Sequence, residues 1–215
     1  MNDSSTRCSV AVVALMLAVA VAAPVYAEWN KGLEAYNKRD YAAAVKEFEE
    51  VTKTNPDYAG AYYMLGLSQR SAGTLSPALA SLRKAVDLDP ENASFKVGLG
   101  QALLQGGQYQ DAYTTLKSIN IGAMDAKHRS TYALLFAQAA TKTNRSAEAI
   151  QVLDSQVKVD SGNAKLYQAL GVAENDAGND GKAFAAFKRA YELNPKDATS
   201  ARNAVRAGVS TARRT

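Results

Sequence analysis

Cysteine and histidine each occur once in the 215 residues, as Cys8 and His128. Zinc and the transition metals are held by several imidazoles or thiolates together, so this pair excludes most metal sites. A lone cysteine also excludes a disulfide framework. Five prolines and 14 glycines are too few for a low-complexity linker or a collagen-like chain. The longest apolar run, Val10 to Ala23, has 14 residues, short of the roughly 20 that a membrane-spanning helix needs. Apolar residues nevertheless make up 47% of the chain and charged residues 21%, so a core can be buried. Length alone allows one large domain or two small ones.

Residues 1–27 read as a secretory signal peptide. Arg7 supplies a thin positive start, Val10 to Ala23 the apolar centre, and Val25-Tyr26-Ala27 the small residues for cleavage before Glu28. The alternative is a retained anchor. Cys8 precedes the apolar run, whereas a lipid-anchored bacterial cysteine follows it, so lipidation at Cys8 is not expected. The expected address is export, to the periplasm if the host has an outer membrane.

The remainder is periodic. Gly32, Gly66 and Gly100 are 34 residues apart, and Gly171 follows after one period of 34 and one of 37. Ala44, Ala78, Ala112, Ala149 and Ala183 step by 34, 34, 37 and 34, as do Phe48, Leu82, Leu116, Leu153 and Phe187. Pro56, Pro90 and Pro195 keep the same register with one insertion of three residues. Each period reads as two helices. In the second, Tyr62, Leu65, Gly66 and Gln69 recur at helical spacing, Gly73 breaks the run, and Ser76-Pro77 opens another helix whose stripe is Ala78, Leu82 and Ala85. Asn92, Asn163 and Asp197 stand where caps are needed. Small residues at Gly66 and Ala78 let the paired helices approach, and Leu82 and Leu88 are expected to fill the space between hairpins.

This pattern resembles the tetratricopeptide repeat family across the whole segment after the leader. The resemblance implies an all-α, right-handed α-solenoid of about five helix-turn-helix hairpins, at about 28–57, 59–92, 93–125, 130–163 and 164–197. A C-terminal capping helix and basic tail over 198–215 follow, with Ala201, Ala204, Val205 and Val209 facing in and Arg202 and Arg206 facing out. The fourth repeat departs most, with Ala137 in place of glycine, Asn144 at the turn and Ser161 in place of proline. The insertion Ile119 to Met124 lengthens the joint before it: a bent helix end, or a hinge or partner loop.

Chemistry is mostly absent. His128 lies at the start of the fourth repeat with nothing to pair it with a nucleophile. Gly106-Gly107 is a repeat turn and not a phosphate loop. Glu47, Glu49 and Glu50 are broken by Phe48 and balanced by Lys46 and Lys53, a solvated face and not a catalytic pair. An enzyme is not expected, nor is a cofactor. Asn92-Ala93-Ser94 and Asn144-Arg145-Ser146 match the glycosylation pattern, but a cap is the plainer role for Asn92.

What remains is a binding surface. The family's first helices line a concave groove. Carrying that face over gives Trp29, Asn30 and Leu33, then Tyr63, Met64, Leu67 and Arg70, then Val97, Gln101 and Gln105. The last two repeats add Leu134, Leu135 and Gln138, then Lys165, Gln168 and Asn175. Trp29, Leu33 and Met64 occupy positions that the family's clamp for C-terminal carboxylates fills with Lys and Asn, so that clamp is missing. The resemblance therefore implies a scaffold or adaptor that binds a protein or peptide segment carrying apolar side chains, in envelope assembly or secretion. The alternative is a self-assembling homo-oligomer whose groove another copy fills. The body between the leader and residue 196 is neutral and the terminus basic. No stripe of cations and aromatics suggests nucleic acid. A solvated terminus is the plainer reading of the tail; contact with an anionic membrane surface, at about 1 kcal/mol per charge, is the alternative.

Overall fold

A computed structural model describes residues 27–124 and 126–214, and among these it is helical throughout, without a strand. The leader reading, residues 1–27, lies outside the described residues except for Ala27, and no described helix is long and apolar enough to cross a membrane. The chain divides after Pro90 into two compact units.

The first unit holds α1 (27–37), α2 (Tyr41–Thr54), α3 (Ala59–Ser71) and α4 (Leu75–Leu88). Each hairpin closes on a small residue. A Cβ added to Gly32 would lie 2.8 Å from the Phe48 ring, and one on Gly66 would lie 2.6 Å from Leu82 Cγ and 3.1 Å from the Ala78 carbonyl. Ala44, Phe48, Ala78 and Leu82 are completely buried. Leu82 packs against Gly66 inside its own hairpin. Gln69 accepts a 2.8 Å hydrogen bond from Ser81 Oγ, so the polar atoms buried between α3 and α4 satisfy each other.

The second unit holds α5 (Ala93–Gln105), α6 (Tyr109–Lys117), a 3-10 turn (Ile121–Ala123), α7 (Ala126–Lys142), α8 (Ser146–Val159), α9 (Ala164–Asp176), α10 (Asp180–Leu193) and α11 (Ala198–Arg214). Gly100 faces Leu116 and Gly171 faces Phe187 in the same close manner. In the fourth repeat Ala137 and Leu153 occupy those columns, both buried. The inserted residues cut α6 to nine residues where the other second helices have 14. They then form the 3-10 turn, pinned by the buried Ile119 and Met124 and by Arg129 Nε donating to the Met124 carbonyl at 2.7 Å. The first helix of the fourth repeat accordingly starts at Ala126, four residues before the expected boundary.

Turns and caps follow local chemistry. Arg39, Gly73, Gly107, Asn144 and Gly178 all adopt positive φ, one per hairpin turn. Asn92 accepts from the amides of Ser94 and Phe95, Asn163 from Lys165 and Asp197 from Thr199, as the sequence suggested. The start of α4 differs: Thr74 is its cap residue and Pro77 the third helical residue, where the missing N–H is still one the helix would leave unpaired. α11 fills the expected terminal segment, but Val205 does not face in; the side chains of Ala204 and Val209 lie outside the described residues. Ala207 is its buried contact, beside Phe187 and Ala183, whereas Val205 is 68% exposed.

Candidate functional site

In the second unit the first helices of successive repeats are neighbours, α5 beside α7 and α7 beside α9. Helical spacing puts Leu134, Gln138 and Thr141 on one face of α7, with Ala137 and Lys142 flanking them. Lys165, Gln168, Ala169 and Val172 present the matching face of α9. Together these nine residues line a cleft of about 490 Å³. A second depression continues it past Leu134 and Lys165 towards Ser130, Asp160 and Asn163. The starts of α7 and α9 thus lie at the same end, and the two helices run parallel.

That end is built rigidly. Gln156 Nε2 donates to Ser130 Oγ at 3.0 Å, and Ser130 Oγ donates to Asp160 Oδ2 at 2.8 Å. Asn163 Nδ2 donates to the same carboxylate oxygen at 2.8 Å. The Asn163 and Ser130 bonds hold the Asp160 carboxyl below its ordinary range. Nearby, Tyr132 stacks on Phe136 at 5.7 Å, and burial pushes its hydroxyl up to about 12.

The sequence-inferred residues fall into two groups. Leu134, Gln138, Lys165 and Gln168 meet in the cleft. Leu135 is half-buried beside them, and Asn175 lines a different depression with Arg206 and Ala207 of α11. Gln101 and Gln105 are exposed on α5, and Val97 is half-buried. In the first unit, Trp29 is not an open groove side chain. Its ring packs 5.3 Å from both Phe48 and Tyr58, and Leu33 and Met64 join the same core cluster. Asn30 is exposed on α1, and Leu67 is half-buried on α3. Tyr63 stands near Tyr36 and Arg70; burial raises its hydroxyl pKa, and the Arg70 charge opposes that rise. Ala137, Thr141, Lys142, Ala169 and Val172 were not inferred from the sequence. Stepping three and four residues on from Leu134 and Gln138 would have reached the α7 members.

Away from the cleft, α6 and α8 are joined by a polar bracket. Tyr113 Oη donates to Glu148 at 2.9 Å, and Lys117 Nζ donates to Glu148 at 3.0 Å and to Tyr113 Oη at 2.6 Å. The Arg145 guanidinium covers the Tyr113 ring at 4.4 Å. Hydrogen bonds from Lys117, then from Tyr113, lower the Glu148 pKa. His128 is exposed near the start of α7, and no group of three or more His, Cys, Asp or Glu suited to a metal occurs among the described residues.

Residues 30–90, 69–135 and 134–198 match the tetratricopeptide repeat. An FK506-binding protein-like protein of Rattus norvegicus is 35% identical over 69 residues, which is 32% of this chain and 20% of the relative. The chain thus spans about a fifth of the curated relatives it matches. Among solved structures, MamA superposes with a TM-score of 0.69 at 23% identity, covering 81% of this chain and 94% of MamA. YrrB, described as a TPR protein with an unusual peptide-binding site, superposes with a TM-score of 0.70 at 20% identity, covering 82% of this chain and 89% of YrrB. These likenesses carry the fold.

Proposed function

The chain belongs to the tetratricopeptide repeat family, and on that premise we propose that it is a non-enzymatic exported scaffold, holding a protein or peptide segment in the cell envelope. The observation that carries the reading is the α7–α9 cleft. It has an apolar floor (Leu134, Ala137, Ala169, Val172), amides on both walls (Gln138, Gln168), and a volume of about 490 Å³. Binding sites combine mainly apolar lining with a few placed polar groups, and this cleft has that composition. Its walls are two packed helices, so a partner meets a surface already formed and little ordering entropy opposes capture. The peptide-binding site ascribed to YrrB supports the same use of the fold. Export rests on the apolar run Val10 to Ala23 and on the cleavage pattern Val25-Tyr26-Ala27.

Site-specific photocrosslinking in the native host tests both parts. A crosslinker at Gln138 in the cleft should capture another protein, while one at Lys158, exposed on α8, should not. The crosslinked product should come from the envelope fraction, with the chain starting at Glu28. Adducts with a second copy alone would establish the self-assembling alternative. Adducts from Lys158 only, or a chain retained in the cytosol with its leader, would overturn the proposal.

A further inference from the structure

The cleft carries charge of one sign. Lys165 and Lys142 are among its nine lining residues, and none of the nine is acidic. Neither lysine is paired with a carboxylate among the described residues; Lys142 Nζ rests 6.0 Å above the Tyr109 ring, and the Lys165 backbone amide serves the Asn163 cap. Asp160, in the adjoining depression, already accepts from Ser130 and Asn163 through Oδ2. The two cations sit at opposite ends. Lys165 lies beside Leu134, and Lys142 follows Leu134 by eight residues, about 12 Å along the helix axis at 1.5 Å per residue. Between them the floor is apolar, with Ala137 and Ala169 in the middle.

An extended chain advances about 3.3 Å per residue, so four residues span about 13 Å. Its side chains at i, i+2 and i+4 share one face. We propose that the α7–α9 cleft selects an extended protein segment with acidic side chains at i and i+4 and an apolar side chain at i+2. The acids meet Lys165 and Lys142, and the apolar side chain lies on Ala137 and Ala169, with Gln138 and Gln168 facing the segment's backbone. This inference rests on the first-helix face being the binding surface and adds what that surface recognises. The recognised carboxylates belong to side chains, since a chain end offers one carboxylate and the cleft has two separated cations.

The test is fluorescence anisotropy of the whole exported chain with short labelled peptides, all amidated at the C-terminus. One contains Glu-Thr-Leu-Thr-Glu; a second replaces both glutamates by glutamine; a third closes the spacing to Glu-Leu-Glu. The first should bind about a hundredfold more tightly than the glutamine peptide, which loses both charge-assisted contacts, and about tenfold more tightly than the closed-up peptide, which can keep only one. Lys142→Gln and Lys165→Gln should each weaken the first peptide about tenfold, leave the glutamine peptide unchanged, and keep the melting temperature. Equal binding of the glutamate and glutamine peptides, with both lost in Leu134→Asp, would overturn the acidic preference and leave the cleft as a binding surface. A neutral peptide with a free C-terminus matching the first would also overturn it, in favour of chain-end recognition. If no peptide binds and Gln138 yields no crosslink, this inference and the functional reading fall together.

Discussion

Gly171→Ala and Gly181→Ala make the same change on the two arms of one hairpin and should have opposite effects. A Cβ on Gly171 would stand 2.6 Å from two atoms of the Phe187 ring and 2.8 Å from Cγ. The ring would have to retreat by most of an ångström to reach ordinary contact. It is 4% exposed and backed by Ala183 and by Ala207 of α11, so displacement is passed on to the terminal helix. Overpacking of this kind costs about 1–3 kcal/mol. Replacing a helical glycine with alanine returns up to about 1 kcal/mol of propensity. Gly181, in the first turn of α10, is exposed with nothing within 4 Å of an added Cβ, so it receives the gain alone. The difference between the two variants therefore isolates the clash at about 1–3 kcal/mol, some 2–12 °C in melting temperature for a chain of this size. Urea and thermal unfolding followed by helical circular dichroism measure it. Equal stability of the two variants would mean that the glycine column is a sequence coincidence and not a contact.

Arg39 holds a φ of 63° at a turn where Gly73, Gly107 and Gly178 hold the same sign, so Arg39→Gly should stabilise the first hairpin by about 0.5–1 kcal/mol; a lower melting temperature would refute this. The lowered Glu148 pKa predicts a pH-dependent bracket between α6 and α8. Its stabilisation is complete above the ordinary glutamate range and is lost as pH falls through and below that range. The gap in urea midpoint between the native chain and Glu148→Gln should therefore be widest near neutrality and close on acidification, and a gap independent of pH would refute the assignment.

The fold was legible because its contacts are periodic. Each hairpin needs one place without a side chain, one alanine and one large apolar residue opposite, and the columns at Gly66, Ala78 and Leu82 state that requirement four times with one substitution, Ala137. The cap residues Asn92, Asn163 and Asp197 were equally readable, because an asparagine or aspartate before a helix acts on amides two or three residues away. Rotations about a helix axis were not readable. Val205 and Ala207 both fit an apolar stripe, and only the Phe187 ring decides that Ala207 turns inward. Trp29 fits a groove position by register, yet its ring is taken up by the neighbouring rings of Phe48 and Tyr58. The inserted residues were visible as a count; that they would shorten α6 and extend α7 depended on burying Ile119 and Met124. Lys142 lies one turn beyond the face taken from the family pattern and was missed for that reason.

The shortened α6 makes the second unit mechanically uneven. Five missing residues remove about 7.5 Å of helix from the second-helix side, more than one full turn. Where the α9–α10 hairpin joins α11 through ring-on-methyl packing, the α6–α8 join depends on Lys117, Glu148, Arg145 and one tyrosine ring. Contacts between partly exposed ions weaken as salt screens them, whereas apolar packing carries no charge to screen. Rising salt therefore loosens the polar bracket between α6 and α8 first, while the Tyr113 ring 5.8 Å from Phe136 and the buried Ile119 and Met124 keep the third and fourth hairpins joined.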